Sequence, residues 1–344
     1  MTDDPKHWWI FRGKGEPHDG ATRLPDPPPW RRFSNQAEEL RGAVFAPEDH
    51  EVEMVNAAMY LRRPLLITGR AGIGKTTLAY AVARELKLGR VLRWSVTTQS
   101  TLREALYRYD AVGRLQETAL RRDQTMTAAM KDKDTPPPAV PIDRYLRLGP
   151  LGTAFADSKR RPRVLLVDEI DKSDVDLPND LLHIFEEGEF EIPELARLPA
   201  DQQKVALLPH DPRPREPTIP IVGGRVRCGH FPIVFLTSNG ERSFPPAFLR
   251  RCLQLHMDWP KDHERKQEKL ARIVRRHLDF SPDQTPRVDE LIGAFVRRLE
   301  NHSDDLATDQ LLNALYLVLK NVNPEHAPGD AEALLNALWR SLSK

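Results

Sequence analysis

Apolar positions along this chain follow two rhythms, and the places where one gives way to the other organise the reading. From about Pro47 helical and strand-like patterns alternate. Asp49 to Arg62 carries Val52, Val55, Ala58, Met59 and Leu61 at helical spacing, which predicts an amphipathic helix. Short uninterrupted apolar runs then recur: Leu65-Leu66-Ile67, Val91 to Val96, Val164 to Val167, Ile233 to Leu236 and Leu253 to Met257. Runs of strand length separated by helical segments predict a parallel sheet covered on both faces. After Trp259-Pro260 only the helical rhythm remains, over Lys261–Leu278, Val288–Asn301, Thr308–Leu319 and Asp330–Leu342. The expected fold is therefore an α/β sheet domain over 46–259, followed by a small all-helical domain over 260–344.

The first 45 residues fit neither rhythm. They place Trp8, Trp9 and Trp30 among Gly, Pro and Asp and read as an irregular arm, more often packed on its own domain than on a partner. Prolines also crowd at Pro136 to Pro141 and Pro209 to Pro220, which marks linkers or long loops. No internal repeat of fixed period is visible.

Composition narrows the class. With 344 residues the chain is about two domains long. Lys plus Arg is 51 against 50 for Asp plus Glu, a net charge of +1, so no global basic field favours nucleic acid or an anionic membrane. At 40% hydrophobic and 29% charged residues the chain can build a core. The longest stretch free of Asp, Glu, Lys and Arg, Cys228 to Gly240, is too short for a membrane helix, which needs about 20 residues. Met-Thr-Asp-Asp-Pro shows no secretory signal, and Cys228 and Cys252 form neither a disulfide framework nor a zinc motif. The expectation is a cytoplasmic protein with reduced thiols.

Candidate chemistry lies at the ends of the predicted strands. After the first comes Gly69-Arg70-Ala71-Gly72-Ile73-Gly74-Lys75-Thr76-Thr77, the Gly-x4-Gly-Lys-Ser/Thr pattern of a phosphate loop. Its glycines let consecutive backbone N–H groups face an anion, Lys75 suits the β- and γ-phosphates of ATP, and the Thr76 hydroxyl suits Mg²⁺. Val164–Val167 ends in Asp168-Glu169, with Asp168 suited to the Mg²⁺ shell and Glu169 to polarising the attacking water. Asn239 follows the Ile233–Leu236 strand, where an amide can orient water or simply make a turn with Gly240. Arg250 and Arg251 precede the last strand, either as solvated charges or as an arginine finger completing a neighbour's site.

Together, Gly69–Thr76, Asp168-Glu169, Asn239 and Arg250-Arg251, followed by a helical tail, resemble the AAA+ ATPases, and within them the MoxR-like branch. The resemblance spans about residues 46–344. It implies ATP hydrolysis with Mg²⁺ in a homo-oligomeric ring, usually a hexamer, that remodels a partner protein, a von Willebrand A domain protein being a common partner class. It assigns Asn239 the sensor role and Arg251 the finger, with Arg250 as the other candidate. Inserts are expected near 97–162 and 188–231. The arginine that usually reports from the lid belongs near Ala307-Thr308-Asp309, and none stands there. The glycine-rich Leu148 to Phe155 segment reads as a pore-lining loop or a plain connection. A nucleic-acid motor, for which Arg103 to Tyr109 and Arg121-Arg122 hint weakly, and a nucleotide-gated switch with little turnover are the rival classes.

Overall fold

The structure, a computed structural model, describes residues 10–11, 13, 17–32, 37–129, 140–157, 161–210, 218–301, 306–320 and 338–339. Along the chain, α1 (Ala37–Val44) and α2 (Asp49–Leu61) precede β1 (Leu65–Gly69), α3 (Lys75–Glu85) and β2 (Leu92–Ser95). Then come α4 (Leu102–Leu106), β3 (Tyr107–Tyr109), α5 (Ala111–Ala129), β4 (Leu146–Leu148), α6 (Pro150–Ala156) and β5 (Val164–Asp168). The segment α7 (Leu177–Glu187), β6 (Glu189–Glu191), α8 (Pro193–Ala196), β7 (Lys204–Leu207), β8 (Ile219–Val222) and β9 (Arg225–Arg227) leads to β10 (Ile233–Ser238). Last are α9 (Pro246–Arg251), β11 (Leu253–Met257), α10 (His263–His277), α11 (Thr285–Asn301) and α12 (Thr308–Leu319). No helix among the described residues is long and apolar enough to cross a membrane.

The chain divides into two compact units. The first takes in 1–49, 69–84 and 256–344; the second takes in 50–68 and 85–255.

The second unit is built on the expected parallel sheet, in the order β11-β1-β10-β5-β2. Leu65 of β1 stands opposite Phe235 of β10, and Ile233 of β10 opposite Val164 of β5. Every residue of β5 and β10 is buried, the signature of strands covered on both faces, which is why their sequences run apolar without alternation. At the edge, β2 alternates instead: Leu92 and Trp94 are buried while Arg93 and Ser95 face outward. Leu66, Leu165, Val167, Leu236 and Phe248 lie in one continuous core.

Two smaller sheets fill the long connections. β3 and β4 pair antiparallel between β2 and β5, and β6-β9-β8-β7 form a four-stranded antiparallel sheet between β5 and β10. Of the loop expected over 209–220, residues 211–217 lie outside those described, and the structure differs only at its end. Pro220 lies within β8, opposite Ala206 of β7. It is tolerated because β8 meets β9 only at Val222↔Arg225, beside the turn at Gly223-Gly224, so its missing N–H breaks no ladder on that side. Leu148 to Phe155 is not a pore loop either. Pro150 to Ala156 forms a fully buried helix, and a Cβ on Gly152 would sit 1.8 Å from the Leu106 carbonyl oxygen. The glycine is there for close backbone packing.

In the first unit α10, α11 and α12 close on Leu270, Val274, Leu291, Phe295, Leu311 and Leu315. Trp30 of the arm packs on this unit: its ring meets Tyr316 edge-on at 6.0 Å, and its Nε1–H donates to Asn313 Oδ1 at 3.1 Å. Trp8 and Trp9, Pro136–Pro138 and the expected Asp330–Leu342 helix fall outside the described residues, apart from residues 338 and 339, of which Trp339 packs on Phe295.

Candidate functional site

The phosphate loop belongs to the first unit. Gly69, Gly72 and Gly74 adopt φ of 144°, 75° and 105°, a curl that side-chain-bearing residues resist. Two of them also have no room for a side chain. A Cβ on Gly69 would lie 2.3 Å from the Met257 carbonyl oxygen, and one on Gly72 would lie 2.6 Å from the Cβ of Ala307, where α12 begins. That close approach leaves no room for a longer side chain at Ala307, just before α12. Helix α3 begins at Lys75, behind the glycines, which is the arrangement that binds phosphate at a helix N-terminus. Lys75 is buried, and its ammonium donates to the carbonyls of Gly69 and Arg70 at 2.6 and 2.7 Å. Arg70 and Ala71 are exposed, Ile73 is buried, and Thr76 and Thr77 occupy the first turn of α3.

The carboxylates belong to the second unit. Asp168 ends β5 with its side chain buried. Oδ1 accepts from the Thr237 hydroxyl at 2.7 Å, and Oδ2 accepts from the Arg93 guanidinium at 3.1 Å through Nε and 2.5 Å through Nη2. Glu169 adopts a left-handed backbone, φ 62° and ψ 48°, at a cost of about 1–3 kcal/mol for a residue with a side chain. Its N–H donates to the Thr237 hydroxyl at 2.9 Å, so one buried hydroxyl fixes both acidic residues. The Glu169 carboxylate accepts from Lys172 at 2.8 Å and holds that ammonium above its ordinary pKa.

Asn239 follows β10. Its N–H donates to Asp171 Oδ2 at 2.9 Å, and Glu241 N–H donates to the same oxygen at 3.1 Å. Asp171 is buried, so the turn bearing Asn239 is pinned beside the acidic strand end. The two arginines at the end of α9 differ. Arg251 pairs with Glu186 at 2.5 Å, both half exposed, a contact worth little energetically. The exposed Arg250 side chain has no hydrogen-bond partner among the described residues, while Arg63 donates to the carbonyls of both arginines.

Sequence reasoning passed over Arg93, Thr237 and Asp171 as site residues. Thr237 and Asp171 lie inside the segments read as functional, so closeness to Asn239 and Glu169 was an available signal. Arg93 had only its outward position on an edge strand. Thr76 and Asp168 each carry the kind of oxygen donor that Mg²⁺ takes. Among the described residues no group of three or more His, Cys, Asp or Glu side chains could hold a metal by itself. A carboxylate, a hydroxyl and phosphate oxygens are what Mg²⁺ takes, keeping several waters.

No curated protein sequence is significantly similar to the chain. Among solved structures it is similar to PCH-2 of C. elegans, at 13% identity and a TM-score of 0.42, over 87% of this chain and 72% of that one. The family model for the AAA domain, dynein-related subfamily, matches residues 64–252, more than half of the chain. That span holds the glycine loop, both acidic residues, Asn239 and the arginine pair. The chain belongs to the AAA domain family, in its dynein-related subfamily.

Proposed function

We propose that the protein hydrolyses ATP in a homo-oligomeric ring and uses the cycle to remodel a partner protein, in the manner of the MoxR-like branch. The observation that carries this reading is the pairing, in one AAA chain, of a glycine-curled loop bearing a buried Lys75 with a buried Asp168 followed by a conformationally fixed Glu169. Lys75 exchanges the carbonyls of Gly69 and Arg70 for phosphate oxygens and neutralises charge there. Thr76 and Asp168 would each offer Mg²⁺ an oxygen ligand, and the cation would supply charge screening for the phosphates. Glu169 takes a proton from the attacking water, and Asn239 orients that water.

Completion of the charge balance falls to an arginine of α9. Arg250 is the better candidate, since its guanidinium is exposed and unengaged, whereas Arg251 must first leave Glu186. A protein partner is favoured over nucleic acid by the Arg103 to Tyr109 segment. Tyr107 is buried, and Arg103 is engaged by Glu194 at 2.6 Å, which leaves little stacking platform. A von Willebrand A domain protein is the partner class to try first.

The test is steady-state turnover over a dilution series, with Arg250→Ala, Arg251→Ala and Lys75→Ala made singly and mixed. A finger supplied in trans is worth about 10³–10⁵ in rate. Specific activity should rise with protein concentration, and mixing the finger variant with Lys75→Ala should restore part of the turnover. Turnover by a demonstrated monomer, independent of concentration, overturns the ring.

A further inference from the structure

The second unit contains a polar cavity of about 430 Å³ beside β2, of whose lining the chemistry above uses only Arg93. Its lining includes Arg93, Arg108, His210, Thr97, Gln99 and Ser100. We propose that this cavity is a binding site for an oxyanion carried on a peptide, an Asp or Glu side chain of a polypeptide partner, and that Arg93 links its occupancy to Asp168.

Three observations point to an anion. First, Arg108 on β3 stands directly opposite Arg147 on β4, and like charges at opposed positions of an antiparallel pair repel. Arg147 is tied through its Nε to the Pro209 carbonyl at 3.2 Å, beside His210. An anion held by Arg108 relieves that repulsion. Second, the lining is rich in donors. The Thr97 and Ser100 hydroxyls lie 3.2 Å apart and organise the turn after β2, since Ser100 Oγ accepts from Thr97 N–H at 2.9 Å. Third, Arg93 faces two ways: its side chain is 43% exposed, yet it reaches Asp168, whose side chain is 7% exposed. A guanidinium has five donors in a fixed fork, so it can bind a second carboxylate, or exchange one for the other, without leaving the cavity wall. Glu104 also lines the cavity, and its carboxylate repels an anion held close to it. The volume lies within the range of built ligand pockets, about 300–1,000 Å³, and accommodates a side chain with its flanking peptide rather than a lone ion.

The consequence for the acidic strand end follows from charge. A guanidinium on Asp168 Oδ2 competes with a divalent cation for the same carboxylate. An anion in the cavity draws Arg93 away and strengthens metal binding at Asp168. This second step rests on the proposed ATPase reading; the binding site does not.

The experiment uses the full chain without nucleotide. A blocked Glu-containing tetrapeptide, its Gln counterpart and inorganic phosphate are titrated by calorimetry into the parent, Arg93→Gln, Arg108→Gln and Lys75→Ala. The Glu peptide should bind, and the Gln peptide should bind about tenfold or more weakly, the worth of one charge-assisted hydrogen bond. Arg108→Gln and Arg93→Gln should each weaken the Glu peptide by a similar factor, and Lys75→Ala should leave it unchanged. Phosphate that competes with the peptide supports the oxyanion site, and phosphate that binds Lys75→Ala but not its Arg108→Gln double variant, where the peptide fails, assigns the site to the free ion. Equal affinity for Glu and Gln peptides, or an unchanged affinity in Arg108→Gln, overturns it. In a second arm, Mn²⁺ binding in the presence of ADP is followed by electron paramagnetic resonance. The Glu peptide should tighten Mn²⁺ in the parent and not in Arg93→Gln. An unaltered Mn²⁺ affinity with peptide bound removes the link and leaves the site.

Discussion

The unit that carries the phosphate loop and the unit that carries the acidic strand end hold their functional groups by different means. In the loop the ammonium of Lys75 rests on neutral carbonyls of Gly69 and Arg70, contributed by the loop itself. Backbone curvature positions these two carbonyls, and an ammonium exchanges a neutral acceptor readily for a stronger, charged one. At the strand end Asp168 is held by side chains from other strands, Thr237 of β10 and Arg93 of β2, and one of them is charged. Glu169 needs a hydroxyl from β10 to keep a backbone conformation it would otherwise avoid. The loop is thus a local device, and the strand end depends on the sheet.

The contrast is broken most severely by two substitutions that should fail in opposite ways. Lys75→Ala leaves phosphate charge uncompensated in the loop, so ATP affinity should fall by about 10²-fold or more in a calorimetric titration, as expected when a buried charge loses its partner. Glu169→Gln keeps the shape of the site but cannot accept a proton. ATP should still bind while turnover falls by about 10² or more. Weak binding in Glu169→Gln would make the strand end a binding element and erase the distinction.

The same contrast explains what could be read from sequence. The loop was legible because its chemistry is contiguous: the glycines, Lys75 and Thr76 lie within eight positions and need only a strand before and a helix after. The parallel strands were legible because burial on both faces leaves uninterrupted apolar runs such as Val164 to Val167. Arg93 was not legible, because its partner lies 75 residues away and only the pairing of β2 with β5 brings the two together. β3, β4, β6 and β9 escaped too. Each has three residues, too few to display a period of two. Pro220 and Gly152 misled for a shared reason: tertiary context, an unpaired strand side in one case and a close backbone approach in the other, overrode the local preference.

A smaller effect sharpens the dependence of the strand end on its sheet. Thr237→Val preserves shape and removes the hydroxyl, leaving both Asp168 Oδ1 and the Glu169 N–H without that partner. Losing a hydrogen bond to a charged group costs about 1.5–3 kcal/mol, and the bond to Asp168 is the larger of the two lost. Urea unfolding should show a loss in that range, and turnover should fall further than ATP affinity. A variant as stable as the parent would mean that Glu169 keeps its left-handed backbone without Thr237.

The smallest effect separates the two units by pH. In the first unit His277, near the C-terminal end of α10, is driven below its ordinary pKa by burial, although its hydrogen bond to the Ile273 carbonyl at 2.8 Å pulls the other way. That bond requires the proton on Nδ1, since a carbonyl only accepts. With the folded pKa below the unfolded value of about 6.5, the unfolded chain binds the proton more readily, so stability is full above that value and declines as pH falls below it. The Glu300 carboxylate of α11 is also depressed, by Lys266 and His263, and its contribution fades only below the ordinary carboxylate value, where the His277 response has already begun. Hydrogen exchange on α10 and α11 should therefore speed up between pH 7 and 5.5 while exchange on β5 and β10 stays level, once the intrinsic pH dependence is divided out. His277→Gln, which has no proton to gain, should flatten the response of α10. If β5 and β10 respond as strongly as α10, the two units unfold together, and the local loop and the sheet-dependent strand end share one stability.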